Sequence, residues 1–177
     1  MSQQSESQDV LQSLASLPSF HHPTASPDGE TVAVYYDDTG RNELHLIDVA
    51  SGERSAVTDG EVPRNARWPM QWGPDGEAIY YHQDEGGNEQ NDVWRIDVGD
   101  ALAGDGSDDA SGAGDAEPVV EMDGQVSLQD VADDGTMYVG STAGGQMNLY
   151  RQRPDGEVEQ LTSYERAVMG CELSTDG

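Results

Sequence analysis

The side chains with chemical potential are a serine in a glycine-flanked string, four histidines, several carboxylate clusters and a group of arginines beside tryptophans. A nucleophilic serine on a strand-to-helix turn requires Gly-x-Ser-x-Gly, because the sharp turn that exposes its Oγ leaves no room for larger neighbours. The nearest string is GSTAG (140–144), where Ser141 is the second residue and follows a β-rich run that feeds a loop. It reads as a strand-end serine, and no catalytic residue is assigned. His21 and His22 are adjacent, so on a strand they point to opposite faces and chelate one metal poorly. His45 and His82 fall in separate units, without cysteine partners or an H-E-x-x-H spacing, and no metal site is expected.

Asp84, Glu85, Asn88, Asn91 and Asp92 offer many oxygens, as do Asp105, Asp108 and Asp109, but neither group follows the calcium-loop spacing. Among 35 acidic residues such clusters are expected as solvated loops. The glycine-rich stretch 104–114 contains GDG and GAG but no G-x-G-x-x-G, and its aspartates repel phosphate. No cofactor is expected. Binding chemistry remains in Arg64, Arg67 and Trp68. Trp68, Met70 and Trp72 alternate on what reads as the inner strand of the second unit, with the two arginines just before. Trp72 is expected to pack between units, whereas Arg64, Arg67 and Trp68 are candidate substrate contacts, arginine being suited to a carboxylate.

The elements that must position these residues repeat. SPDGETVAVYY (26–36) returns as GPDGEAIYYHQ (73–83) and ADDGTMYVGS (132–141), and the chain closes on STDG. The turn glycines Gly29, Gly76, Gly135 and Gly177 are 47, 59 and 42 residues apart. The long middle spacing holds a Gly/Ala/Ser/Asp tract at 99–116, read as a surface insertion. Each Asp-Gly turn precedes a β-rich run (Thr31–Tyr36, Ala78–His82, Met137–Ser141). A further alternating strand follows (42–49, 91–98, 147–153), then a short closing one (54–58, 117–121, 157–162). Four antiparallel strands per period of some 40 residues is a propeller blade. The fold class is therefore all-β, a partial β-propeller of about three blades plus the first strand of a fourth. The blades are placed at roughly 19–61, 62–122, 123–165 and 166–177. The tyrosine pairs Tyr35–Tyr36 and Tyr80–Tyr81 are read as occupying matching positions. Residues 1–18 read as an arm with a short helix, capped by Asp9 and carrying Leu11, Leu14 and Leu17 on one face before Pro18.

The formal net charge is −27, and all eight basic residues are arginine. Nucleic acid and anionic membranes need a basic footprint and are excluded as partners by this composition. The acidity without lysine resembles the composition of proteins from salt-loving archaea. Self-repulsion on this scale is screened when the Debye length falls to about 3 Å near 1 M salt. The thermal midpoint is thus expected to rise steeply from dilute buffer to molar potassium chloride, and a flat midpoint would contradict this reading. One cysteine, Cys171, excludes an internal disulfide, and no secretory signal or membrane span is visible, so a cytoplasmic location is expected.

The SPDG turns are similar to the repeats of TolB-type propellers. More narrowly, DEGGNEQNDVWRIDV (84–98) and STAGGQMNLYRQRPDGEVEQLT (141–162) resemble the N-terminal propeller of prolyl oligopeptidase family serine peptidases, in their dipeptidyl and acylaminoacyl peptidase branch. The resemblance spans roughly residues 10–177. It implies a propeller that sits over a C-terminal α/β-hydrolase domain and limits which peptides reach it. No catalytic residue is carried over, since the hydrolase motifs fall outside this sequence. The expectation is a non-catalytic portion whose partners are that hydrolase domain and, through it, a peptide substrate. A stand-alone TolB-like scaffold for a protein or peptide, and an incomplete product without activity, are the alternatives. Open blade edges would favour self-association.

Overall fold

In the computed structural model, the residues described are 14, 16–62, 66–84, 90–99 and 116–174. The expected N-terminal helix, the 99–116 insertion apart from its two ends, and the loop residues Glu85 and Asn88 lie outside them. Twelve strands are present among the described residues. The first four are β1 (Phe20–Ala25), β2 (Thr31–Tyr36), β3 (Glu43–Asp48) and β4 (Arg54–Ala56). The next four are β5 (Gln71–Trp72), β6 (Ala78–Asp84), β7 (Asn91–Asp97) and β8 (Glu117–Val120). The last four are β9 (Val126–Val131), β10 (Met137–Ser141), β11 (Asn148–Gln152) and β12 (Val158–Gln160). They form three four-stranded antiparallel sheets, each a meander in sequence order. The fold is a partial β-propeller of three blades, and β5, the first strand of the middle blade, lies against both β1 and β9.

The β1–β2, β5–β6 and β9–β10 connections use one turn. Gly29, Gly76 and Gly135 have φ of +76°, +73° and +82°, the left-handed region that favours glycine. In each, the aspartate before the glycine accepts the N–H two residues on: Glu30 to Asp28 Oδ1 at 3.0 Å, Glu77 to Asp75 Oδ1 at 3.0 Å, Thr136 to Asp134 Oδ1 at 2.9 Å. RPDG (153–156) repeats the device between β11 and β12, where the Glu157 N–H donates to Asp155 Oδ1 at 3.0 Å. The turn chemistry dictates a reversal, not a place within the blade.

Burial on both sides of a strand sets the layers. From β6, Ile79 and Tyr81 enter a layer with Ala33, Tyr35, Leu44 and Leu46 of the first blade, joined by Met70, Trp72 and Ile96. On its other side Tyr80 packs on the second layer, built from Val93, Val120, Val126, Leu128, Met137, Val139 and Tyr150. The outward side of the first blade carries a stack of Phe20 on Tyr36 (4.4 Å between centroids), His45 edge-on to Tyr36 (5.6 Å) and Arg54 over the same ring (4.1 Å). Residues 163–174 form no strand; the Val168 N–H donates to the Met147 carbonyl at 2.9 Å, and Gly170 lies beside Gln129 of β9.

The blade register corrects one expectation. The carbonyls of Thr31, Ala78 and Thr136 each accept the N–H five or four residues earlier, from Ser26, Gly73 and Ala132, and so mark equivalent positions. Counting on from them, Tyr35 matches His82 and Gly140, while Tyr81 matches Val34 and Val139. The tyrosine pairs are therefore two positions out of step, and Tyr35 and Tyr81 meet from opposite sides of one layer.

A second repeated device closes each blade. The Leu44 N–H donates to Thr58 Oγ1, whose hydroxyl donates to Glu43 Oε2 (2.7 Å), while Glu43 Oε1 accepts the Gly60 N–H (2.9 Å). In the third blade Asn148 Oδ1 takes the Thr162 hydroxyl and the Tyr164 N–H at 2.9 and 2.8 Å, and Leu149 N–H donates to Thr162 Oγ1. Asp92 stands at the same position in the middle blade and receives the Met122 N–H at 3.5 Å. Gly124 marks a turn entering the third blade; φ is +91°, and an added Cβ would fall on the Thr142 hydroxyl and 3.3 Å from that residue's backbone carbon. Gly29 has similar φ but open space. Gly29→Ala is expected to cost about 1 kcal/mol from conformation alone, and Gly124→Ala at least about 2 kcal/mol because the clash adds to it. Urea unfolding of the two variants checks this; equal losses would show that Thr142 yields freely.

Candidate functional site

The residues with binding potential gather where the first and middle blades meet at their inner strands. His22 and Pro23 form a β-bulge in β1, where pairing shifts between His21 and Thr24. His22, in the bulge, takes φ of +51°, a strained value for a non-glycine residue. The bulge re-aims its ring across the seam, where Nε2–H donates to the Ala66 carbonyl at 2.9 Å. His21 and His22 do not act as a pair, and among the described residues no group of three or more histidine, cysteine or carboxylate side chains is placed to hold a metal.

Arg67 and Trp68 come next. Arg67 is exposed and lies over the Trp68 ring at 5.0 Å. Trp68 is half-buried, 5.9 Å from the His82 ring, and its Nε1–H is enclosed without an acceptor among the described residues. Arg64 lies outside the described residues. The segment was expected to be strand through Trp68, but β5 begins only at Gln71. Pro69 has no N–H to give to a ladder, which frees Trp68 from sheet pairing. Met70 and Trp72 are core residues, as expected for Trp72, whose Nε1–H donates to the Thr24 carbonyl of the first blade at 3.1 Å.

His82 is the buried centre of this region, at 2 % exposure. Its Nε2 accepts the Leu128 N–H at 2.9 Å, which places the proton of the neutral ring on Nδ1. Burial pushes its pKa down to about 4, opposed by the Pro69 carbonyl and reinforced by nearby His22. The Pro69 carbonyl favours the charged ring yet does not meet Nδ1 in hydrogen-bond geometry. Beside it, the Gln71 amide Nε2–H donates to the Gln129 carbonyl at 2.6 Å, a second link from middle to third blade. Sequence reasoning missed both links. In an alternating apolar strand, His82 signals only a core position, and nothing local to Gln71 indicates its partner.

Ser141 ends β10 at 0 % exposure, and its hydroxyl accepts the Ala143 N–H at 3.1 Å, a strand-end turn and not an exposed nucleophile. No helix among the described residues is long and apolar enough to cross a membrane. The described part of the site thus has a cation on an aromatic face with amide and imidazole links behind it.

No family model matches the chain, and no curated protein matches it significantly. Solved structures do. A TolB-like protein of Agrobacterium tumefaciens superposes with TM-score 0.63 at 22 % identity, over 84 % of this chain and 48 % of its own. TolB from Acinetobacter baumannii gives 0.64 at 18 %, over 84 % and 33 %. A structure from a study of two prolyl endopeptidases gives 0.57 at 20 %, over 83 % and 22 %. The chain spans about half the length of the first of these and less of the others. At these identities the likeness establishes the fold, a portion of a β-propeller of the kind found in TolB-like proteins and in prolyl oligopeptidase-type peptidases.

Proposed function

We propose that this propeller portion gates or positions peptide substrates for an α/β-hydrolase serine peptidase domain that lies outside the sequence. The observation that carries the reading is the exposed Arg67 held on the Trp68 face beside the innermost strand of the middle blade, the side of a blade nearest a propeller's axis. The likeness to a prolyl endopeptidase supports it. Catalysis belongs to the hydrolase domain in this reading, and the propeller contributes access and orientation. A second reading, a stand-alone TolB-like scaffold that binds a protein or peptide, draws support from the higher TM-scores of the TolB structures, 0.63 and 0.64 against 0.57.

The sequence that follows Gly177 in the parent polypeptide separates the two. Gly-x-Ser-x-Gly followed by aspartate and histidine supports the peptidase reading. Further Asp-Gly repeats with no such motif give the scaffold reading instead.

A further inference from the structure

Arginine is scarce in this protein and is spent on carboxylates. Arg41 is 3.3 Å from Glu43, Arg54 2.6 Å from Asp38, Arg95 2.6 Å from Asp97 and Arg151 2.7 Å from Glu159, and Arg153 pairs with Glu157. Arg67 departs from this pattern. Among the described residues no carboxylate lies within ion-pair reach of it, although the formal charge of the chain is −27; Arg166, in the 163–174 segment, shares that condition but has no aromatic support. Arg67 instead rests on Trp68, which holds the guanidinium plane in place and leaves its N–H fork to solvent. Trp68 Nε1–H, by contrast, is enclosed and meets no acceptor among the described residues, so it faces the interior and only the ring supports the guanidinium. The unfilled group is a cationic donor fork open to solvent, and an anionic oxygen pair answers it.

We infer that Arg67 and Trp68 form a carboxylate anchor, in which a peptide carboxylate is forked by the Arg67 guanidinium and the Trp68 ring supports that guanidinium from behind. The inference rests on the peptide-positioning reading above and adds to it the charge of the group recognised. Two physical points favour a carboxylate over a neutral amide. A bidentate, charge-assisted pair is about twice as strong as a neutral hydrogen bond. The surrounding acidity also repels any carboxylate not placed against a cation, so the position of Arg67 fixes where along the inner edge an acidic group settles. The seam behind the anchor is built to hold it still: His22 ties Ala66, the residue before Arg67, to the first blade, and His82 packs on Trp68.

The carboxylate could be a peptide's C-terminus or an acidic side chain, and three probes distinguish them. They are acetyl-Ala-Ala-Ala with a free C-terminus, acetyl-Ala-Ala-Glu amide and acetyl-Ala-Ala-Gln amide. Binding to the full chain is measured by calorimetry at the lowest potassium chloride concentration that keeps it folded. One or both carboxylate peptides should bind at least about tenfold tighter than the glutamine peptide. That preference should vanish in Arg67→Gln, survive in part in Arg67→Lys, and weaken several-fold in Trp68→Leu, which removes the aromatic face under the guanidinium. Thermal midpoints of the variants within a few degrees of the parent show that the fold is intact. Equal affinity for all three peptides, or a preference unchanged in Arg67→Gln, would overturn the anchor while leaving the peptide reading standing. Binding of none of them would also overturn the anchor, and the sequence beyond Gly177 then judges the peptide reading by itself.

Discussion

Tyr81→Ala is expected to destabilise the protein by about 3–5 kcal/mol, enough to leave much of it unfolded at room temperature. Tyr81 is 0 % exposed and sits in the layer that joins the first two blades, against Tyr35, Leu44 and Ile79. Removing the ring leaves a cavity that neighbours on two separate sheets would have to close, and each sheet is held in register by its own ladders. Its hydroxyl makes one bond, to Gln83 Oε1 at 3.2 Å. Tyr81→Phe keeps the packing and should cost only about 1 kcal/mol. Urea unfolding in molar potassium chloride measures both. A loss below about 1 kcal/mol for the alanine variant would mean that the blades fold independently and that the layer between them contributes little.

Acidification should weaken the joint between the middle and third blades through His82. Its pKa is 6.5 in an unfolded chain and about 4 here, because burial opposes charge on the ring. Above pH 6.5 the ring is neutral in both states and stability is at its full value. As the pH falls from 6.5 towards 4 the unfolded state binds a proton that the folded state refuses, so stability is lost, reaching about 3 kcal/mol below pH 4. Protonation would also convert Nε2 from acceptor to donor and break its bond with the Leu128 N–H. His82→Gln isolates the effect, since an amide oxygen can accept the same N–H without titrating. The unfolding free energy of the parent minus that of the variant should fall steadily from pH 7 to pH 4. A constant difference across that range would show that His82 does not titrate as its burial requires. Asp28, lowered by bonds from the Ser26 hydroxyl and Glu30 N–H, and Asp134, lowered by Thr136, act in a separate window below the ordinary carboxylate pKa of 3.8.

Local chemistry made the blades legible. The Asp-Gly turns fix φ and satisfy their own N–H groups within four residues, so their positions, and the strands they reverse, follow from sequence alone. Alternation in Thr31–Tyr36 and Ala78–Asp84 reports that the strands are buried, and a recurring four-strand grammar reports that they stack as blades. Trp72 could be assigned to packing because its alternation with Met70 is local. Its partner, the Thr24 carbonyl, could not be named, because 48 residues separate them.

What lay beyond the sequence depended on contacts between blades. The tyrosine pairs look equivalent in the one-dimensional pattern, yet backbone register sets them two positions apart and lets Tyr35 and Tyr81 share a layer. His82 reads as one more core position until Leu128 of the next blade arrives with an N–H. Trp68 reads as strand until Pro69 interrupts the ladder and leaves the ring free to carry Arg67. By itself the sequence determined the turns, the strands and the acidic surface, since each depends on residues a few positions apart. The tertiary structure alone decided which side chains meet across the seams, and which arginines have no carboxylate among the described residues, because those depend on distances between segments that the chain separates by tens of residues.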